Sequence, residues 1–474
     1  WGGDCEAGGA LTVAPGGVYT CTITNDDIAP TVTLIKTVAN DDGGSLTEDD
    51  FQPYLDGGPV SWDTLLSLSP GGHVVTETQV SGYTSSVWGG DCTDGGSLTV
   101  ELGGTYTCTV TNDDLAASVT LTKTVVNDNG GTLSEGDFEP LLDGAPVSWD
   151  TSLSLSAGSH TISETPVSGY AASSWGGNCA SDGALTAELG GSYTCTVTND
   201  DVAPTLMLVK SVVNNDGGTL AEEQFPAYIG SSPAEWGVRY ELDAGSYLVR
   251  EDDQFGYAAS PWTGGCASNG TVSLQIGDEK TCYITNDDIA PRVTLTKTVV
   301  NNDGGTLTAD DFLPHINGTP ASWGDPVTLI SGTHTVSETQ VPGYGATSWG
   351  GDCVDNGSLT VVVGGMYTCT ITNDDIGPTV TLTKTVINDS GGSMTSDDFL
   401  PYVDGSPVSW DTPLSLSAGT HVVSETEVAG YAALPWGGDC DADGTLATMP
   451  GGVYTCTITN DDIAPTVTLT KTVI

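Results

Sequence analysis

Val119-Thr120-Leu121-Thr122-Lys123-Thr124-Val125 alternates without a break. One face carries Val119, Leu121, Lys123 and Val125; the other carries three threonines. Successive side chains of a strand point to opposite faces, so this pattern predicts a half-buried strand. Tyr106, Cys108, Val110 and Asn112 alternate in the same way with Thr107, Thr109 and Thr111. Between such runs lie turn residues: Asn129-Gly130-Gly131, Asp143-Gly144, Ala157-Gly158, Ser168-Gly169 and Gly103-Gly104. No window has a helical period. The 63 glycines, 24 prolines and only 6 phenylalanines fit an all-β chain.

The opening stretch is one copy of a repeat. Lys36, Lys123, Lys210, Lys297, Lys384 and Lys471 fall at a constant step of 87 residues. Trp1, Trp88, Trp175, Trp262, Trp349 and Trp436 keep the same step, with no insertion or deletion. A boundary before Pro30 gives five whole repeats: 30–116, 117–203, 204–290, 291–377 and 378–464. Residues 1–29 read as the last strands of an earlier repeat and 465–474 as the first strand of a later one. A longer array is therefore expected. Each repeat is large enough for its own Ig-like sandwich of seven or so strands. The connector Asp113-Asp114-Leu115-Ala116-Ala117-Ser118 is short, so neighbours are expected to stack into a stiff rod.

Charge excludes some partners. With 62 acidic residues against 10 basic ones the net charge is −52, and phosphate contacts need Lys and Arg, so nucleic acid is not expected. Apolar runs are a few residues long, which predicts no membrane span. Each whole repeat has two cysteines. The pairs are Cys5 and Cys21, Cys92 and Cys108, Cys179 and Cys195, Cys266 and Cys282, Cys353 and Cys369, and Cys440 and Cys456. An even count at fixed spacing, with no Cys-x-x-Cys, predicts disulfides within repeats and an oxidising compartment. A hairpin across Gly103-Gly104 would set Cys108 opposite Thr99, with Cys92 brought back by the loop from Thr93 to Ser97.

Six of the seven lysines share one strand position, and it lies on the inward face. A buried ammonium is costly unless it is paired or chemically altered. Two further polar groups face inward: a glutamate in mid-repeat and an asparagine on the last strand. The triples are Lys36/Glu77/Asn112, Lys123/Glu164/Asn199, Lys210/Glu251/Asn286, Lys297/Glu338/Asn373 and Lys384/Glu425/Asn460. The middle motif is Glu164-Thr165-Pro166-Val167-Ser168-Gly169-Tyr170. It returns as Glu77-Thr78…Gly82-Tyr83, Glu338-Thr339…Gly343-Tyr344 and Glu425-Thr426…Gly430-Tyr431, and as Glu251-Asp252…Gly256-Tyr257 in the third repeat.

This order of first-strand Lys, Glu-x-x-x-x-Gly-Tyr and terminal Asn resembles the collagen-adhesin B-type, prealbumin-like domains of SpaA-like bacterial pilins and surface adhesins. The resemblance spans nearly the whole chain, although disulfides are not a usual part of that pattern. It implies a spontaneous isopeptide bond between the Lys amine and the Asn side chain, with the Glu as proton relay. Apolar burial favours the neutral forms of both partners, as that chemistry requires. The plainer alternative is a buried Lys–Glu ion pair with Asn as a hydrogen-bond partner.

His73, His160, His334 and His421 share a position that is Tyr247 in the third repeat, which suits a packed strand residue better than a ligand. The paired tryptophans, such as Trp149 and Trp175, read as core or inter-repeat packing. The turn Asn40-Asp41-Asp42-Gly43-Gly44 and the junction pairs Asp26-Asp27 and Asp113-Asp114 could chelate calcium, though their spacing is not that of an EF-hand. No other cofactor is expected. No catalytic constellation breaks the repeat symmetry, so an enzyme is not expected. The reading is the structural shaft of an extracellular filament, with copies of itself as partners. Its alternatives are an adhesin that binds a glycan or protein ligand, and a calcium-stiffened spacer. Repeat 204–290, with Arg239, Arg250 and Lys280, departs most from the others.

Overall fold

The computed structural model describes residues 1–472. Residues 465–472, where a first strand is expected, form no strand, and Val473 and Ile474 lie outside the described residues. The chain divides into two units. The first is Trp1–Leu206 with Tyr240–Ser246 and Ser273–Lys280; the second is Met207–Arg239 with Tyr247–Val272 and Thr281–Ile474.

In the first unit, the second repeat shows the pattern. Its strands are β1 (Ala117–Val126), β2 (Pro140–Leu142), β3 (Ala145–Pro146), β4 (Ser152–Leu155), β5 (Gly158–Glu164), β6 (Tyr170–Ala172), β7 (Gly176–Gly177), β8 (Ala184–Ala187) and β9 (Ser192–Asp201). One sheet runs β4-β1-β9-β6, with β7 also on β9; the other runs β3-β2-β5-β8. The first repeat, in the same unit, and the fourth and fifth, in the second unit, have this strand order. No α-helix occurs among the described residues; one short 3-10 turn, Glu135–Asp137 here, precedes β2. The alternating stretch that opens the repeat is β1, and it pairs parallel with β9, Lys123 opposite Val197 and Val125 opposite Asn199. Val119, Leu121, Leu155, Ile162, Leu185 and Cys195 meet between the sheets as the core.

The hairpin expected across Gly103-Gly104 does not form. Ser97–Val100 pairs with Gly71–Val74 in one sheet, while Thr105–Asp114 lies in the other and sets Cys108 opposite Gly90 rather than Thr99. Both runs carry inward apolar residues, Leu98 and Val100 against Cys108 and Val110. Facing the same core from opposite sides buries both sets; a flat hairpin would leave the sandwich without one wall. Each disulfide therefore ties the last strand to the connection between sheets. All six pairs, Cys92–Cys108 and its counterparts, are bonded at a separation of 16 residues.

Backbone hydrogen bonds link successive repeats inside each unit. In the first, the Ala157 and Gly190 N–H groups donate to Asp42 and Leu115 carbonyls at 2.7 and 2.8 Å. In the second, Ala418 and Gly451 donate to Asp303 and Ile376, both at 2.6 Å. Gly43 is required at its contact: its φ is +91°, and a Cβ there would lie 2.6 Å from the Ala157 carbonyl oxygen.

Candidate functional site

The inward face of β1 carries the lysine into the core because alternation admits nothing else there. All five lysine side chains of the whole repeats have zero exposure. Each amine donates to its glutamate: Lys36 to Glu77 at 2.6 Å, Lys297 to Glu338 at 2.5 Å, and Lys123, Lys210 and Lys384 to Glu164, Glu251 and Glu425. Burial pushes each of these amines below its ordinary range, against the opposing pull of the glutamate. Lys471, in the partial repeat, is exposed.

The asparagines complete the group. Asn112, Asn199, Asn286, Asn373 and Asn460 are at most 3% exposed. Each carboxamide oxygen is buried without a hydrogen-bond donor, as is the second carboxylate oxygen of Glu77, Glu251, Glu338 and Glu425. Buried polar atoms are rarely left so. Asn199 stands one inward position along from the Lys123–Val197 pair, a diagonal neighbour within reach of a long side chain. Glu77 and Asn112 line one cavity of about 280 Å³, and Glu425 and Asn460 share another.

Aromatic rings close the group off. Each lysine nitrogen lies 4.1 to 4.4 Å from the ring centre of Phe51, Phe138, Phe225, Phe312 or Phe399. The paired tryptophans are core residues: Trp149 stacks on Trp175 at 6.4 Å, and its indole N–H donates to the Phe138 carbonyl at 2.8 Å. The phenylalanines were not singled out from the sequence, yet the signal was there. Five of the chain's 6 phenylalanines keep the 87-residue step.

The repeats match a family model described as "prealbumin-like fold domain" over 114–197, 201–284 and 288–371. The chain belongs to the prealbumin-like fold domain family. These matches include Lys123 and Glu164 but stop short of Asn199, and the later two are placed likewise on their own triples. No curated protein matches the chain. Among solved structures it is similar to the Bacillus anthracis TIE protein, at 14% identity and TM-score 0.37, over 93% of this chain and 76% of that one. It is also similar to the pilus adhesin SpaC from Lactobacillus rhamnosus GG, at 12% identity and TM-score 0.21, over 65% of this chain and 46% of that one. The open conformation of SpaC gives 12% identity and TM-score 0.19, over 94% of this chain and 55% of that one. The chain thus spans about half the length of SpaC.

In the prealbumin-like repeats the aspartates weighed for calcium serve the junctions. Asp114 meets the Asn40–Gly44 turn, and its carboxylate accepts the Asp42 N–H at 3.0 Å and the Gly44 N–H at 2.6 Å. Asp201 does the same for Asn129 and Gly131 at 3.0 and 2.6 Å. Burial opposes the Asp201 charge, but the Gly131 and Asn129 amides outweigh it and hold the carboxyl below its usual range. Asp113 is exposed beside Asp41, and partial desolvation together with that neighbouring carboxylate raises its carboxyl. Asp41, Asp42 and Asp114 bring carboxylate oxygens within 4.8 Å of one another, as do Asp128, Asp200 and Asp201, and Asp389, Asp461 and Asp462, so these groups could hold a cation, but Asp114 and Asp201 are already committed to backbone amides. Asp26 and Asp27 are exposed.

The clasped turn also carries the carbonyl that receives the next repeat: Asn129 accepts the Ala244 N–H at 2.8 Å. Asp201→Ala would leave the Asn129 and Gly131 amides without an acceptor, at about 1–3 kcal/mol. Hydrogen exchange at Gly131 and Ala244 is expected to quicken, while Leu121 in the core keeps its protection.

The four histidines of this position are packed strand residues, three of them with acidic partners. His73, His160 and His421 contact Asp56, Asp143 and Asp404 through Nδ1 at 2.7, 2.8 and 2.7 Å, while His334 contacts the Asn317 amide. The Asp56 hydrogen bond raises His73 above 6.5, and the same bond lowers Asp56 below 3.8. The histidine's contribution is complete below 6.5 and fades as pH rises through the raised folded value. The aspartate's contribution is complete above 3.8 and fades as pH falls through the lowered one. In a histidine NMR titration, His73, His160 and His421 are expected to titrate above 6.5. Asp56→Asn, which copies the fourth repeat, should bring His73 down.

Proposed function

We propose that the chain is part of the shaft of an extracellular, cell-surface filament, with each whole repeat closed by an amide between its first and last strands. The observation that carries this reading is the fully buried lysine on glutamate, beside an asparagine oxygen that lacks a donor. The ammonium passes a proton to the glutamate. The neutral amine attacks the Asn Cγ while the glutamic acid donates to the carboxamide oxygen. In the tetrahedral intermediate the glutamate takes a proton from the lysine nitrogen and passes it to the NH₂ group; the C–N bond to that group breaks, ammonia leaves, the hydroxyl proton returns to the glutamate, and the carbonyl re-forms bonded to the lysine nitrogen. Each bond thus costs the chain one ammonia and needs no oxidant or cofactor. Desolvation of the lysine favours the attacking form, and the aromatic rings exclude water that would compete.

Disulfides in every whole repeat support an oxidising compartment, and among the described residues no helix is long and apolar enough to cross a membrane. The only chemistry in this reading is self-modification, and the partners are copies of the chain along or beside the filament. Peptide mapping by tandem mass spectrometry tests it. A branched peptide joining Lys123 to Asn199 is expected; linear peptides carrying free Lys123 and free Asn199 would refute it.

A further inference from the structure

The strands that bury the lysine and the asparagine carry a second regularity on their outward face. In the second repeat β1 and β9 are parallel and in register, so Thr120 lies beside Thr194, Thr122 beside Thr196 and Thr124 beside Thr198. All six are exposed or half-buried. The fourth repeat has the same three ranks, from Thr294/Thr368 to Thr298/Thr372, and the fifth has them from Thr381/Thr455 to Thr385/Thr459. Neighbouring strands stand about 4.7–4.9 Å apart, and alternate residues of a parallel strand about 6.6 Å apart, so the threonines form a two-dimensional grid. On one border β7 adds no side chain: Gly176 lies opposite Thr196, and a Cβ there would be 3.1 Å from the Thr196 Oγ1. On the other border Ser152 lies beside Thr120. Grid and borders carry no charge, in a chain with 62 acidic residues.

Each threonine presents a hydroxyl that both donates and accepts, a methyl group, and a side chain stiff at χ1. Held on a rigid, uncharged grid, these groups suit a ligand that is itself a lattice of donors and acceptors, and the two grid spacings approximate the oxygen repeats on a prism face of ice. We propose that the threonine faces of the second, fourth and fifth repeats bind ice. Stiff side chains on paired strands lose little freedom when such a surface docks. The grid holds no aromatic ring on which a sugar would stack, which disfavours a crystalline polysaccharide as the occupant. The other two whole repeats interrupt it. Ile35 stands beside Thr109 in the first, and in the third Tyr283 takes the Thr196 position, with Thr263 rather than glycine next to it. The face stands whether or not the lysine–asparagine bonds form.

Partition of the fluorescently labelled full chain into slowly growing ice tests the site, because an ice front excludes solutes that do not bind it. The chain is expected to enter the ice at several times the fraction of a labelled acidic control protein. Thr196→Tyr, Thr370→Tyr and Thr457→Tyr together should bring uptake down to the control; the third repeat already carries tyrosine at this position, as Tyr283, so the fold accepts it. Thr122→Ser, Thr296→Ser and Thr383→Ser keep the hydroxyls and remove one methyl each, and should lower uptake without abolishing it. Glu48→Tyr, on an exposed turn outside the grid, should leave uptake unchanged. Exclusion of the unmodified chain, full uptake of the tyrosine variant, or lost uptake in Glu48→Tyr would overturn the proposal, as would adsorption to crystalline cellulose in place of ice.

Discussion

Pulled from its ends, the chain is expected to stretch without any of the five whole repeats unfolding. Force enters a repeat such as the second through β1 and leaves through β9, and these strands lie side by side and parallel. Without a covalent tie, shearing them apart needs only the loss of hydrogen bonds and packing, within a net stability on the order of 5–15 kcal/mol. With Lys123 joined to Asn199, force passes across an amide, and the residues between them hang outside the load path. Glu77→Ala should return one long unfolding step to the record, and the change in all five repeats should return five. Because each disulfide spans only 16 residues, it cannot mimic this shielding. Full-length steps in the unmodified chain would show that the repeats do not carry tension in this way.

The second large effect is on equilibrium stability. Glu164→Ala removes the proton relay, so the second repeat should keep a free Lys123. Two losses then act together. The closed loop no longer restricts the unfolded chain, a term of roughly 4 kcal/mol if it behaves like a disulfide of that span. The buried ammonium also loses its carboxylate partner, and breaking such a pair costs about 3–5 kcal/mol. Either loss is a large part of a small domain's stability. In urea, hydrogen exchange should show the second repeat opening well before its neighbours, with Cys179–Cys195 intact. Lys123→Met combined with Glu164→Leu restores an apolar core without the cross-link, and should recover the ion-pair share only. A Glu164→Ala repeat as stable as its neighbours would contradict both terms.

Much of this was legible in residue order because the repeat is strict and alternation is simple physics. Lys123 had to face inward once Val119, Leu121 and Val125 did, and burial of all five whole-repeat lysines follows from that alone. The cysteine pairs were legible from count and spacing. What failed was the choice between a hairpin and a crossover at Gly103-Gly104. Local sequence is the same for both; the outcome depends on which arrangement buries Leu98 and Val110 together. The acidic turn was visible as a cluster, but its work was not. Whether a carboxylate faces a cation or a row of backbone amides depends on strands 70 residues apart, as Asp114 and Gly44 show.

Each Lys–Glu–Asn group of a whole repeat is expected to complete its reaction. The intact mass of the fully denatured chain, with its disulfides counted, measures this directly. A deficit of five ammonia molecules is expected, one for each whole repeat, with one fewer after Glu164→Ala. A chain at its full calculated mass would contradict the account and leave five buried ion pairs in its place.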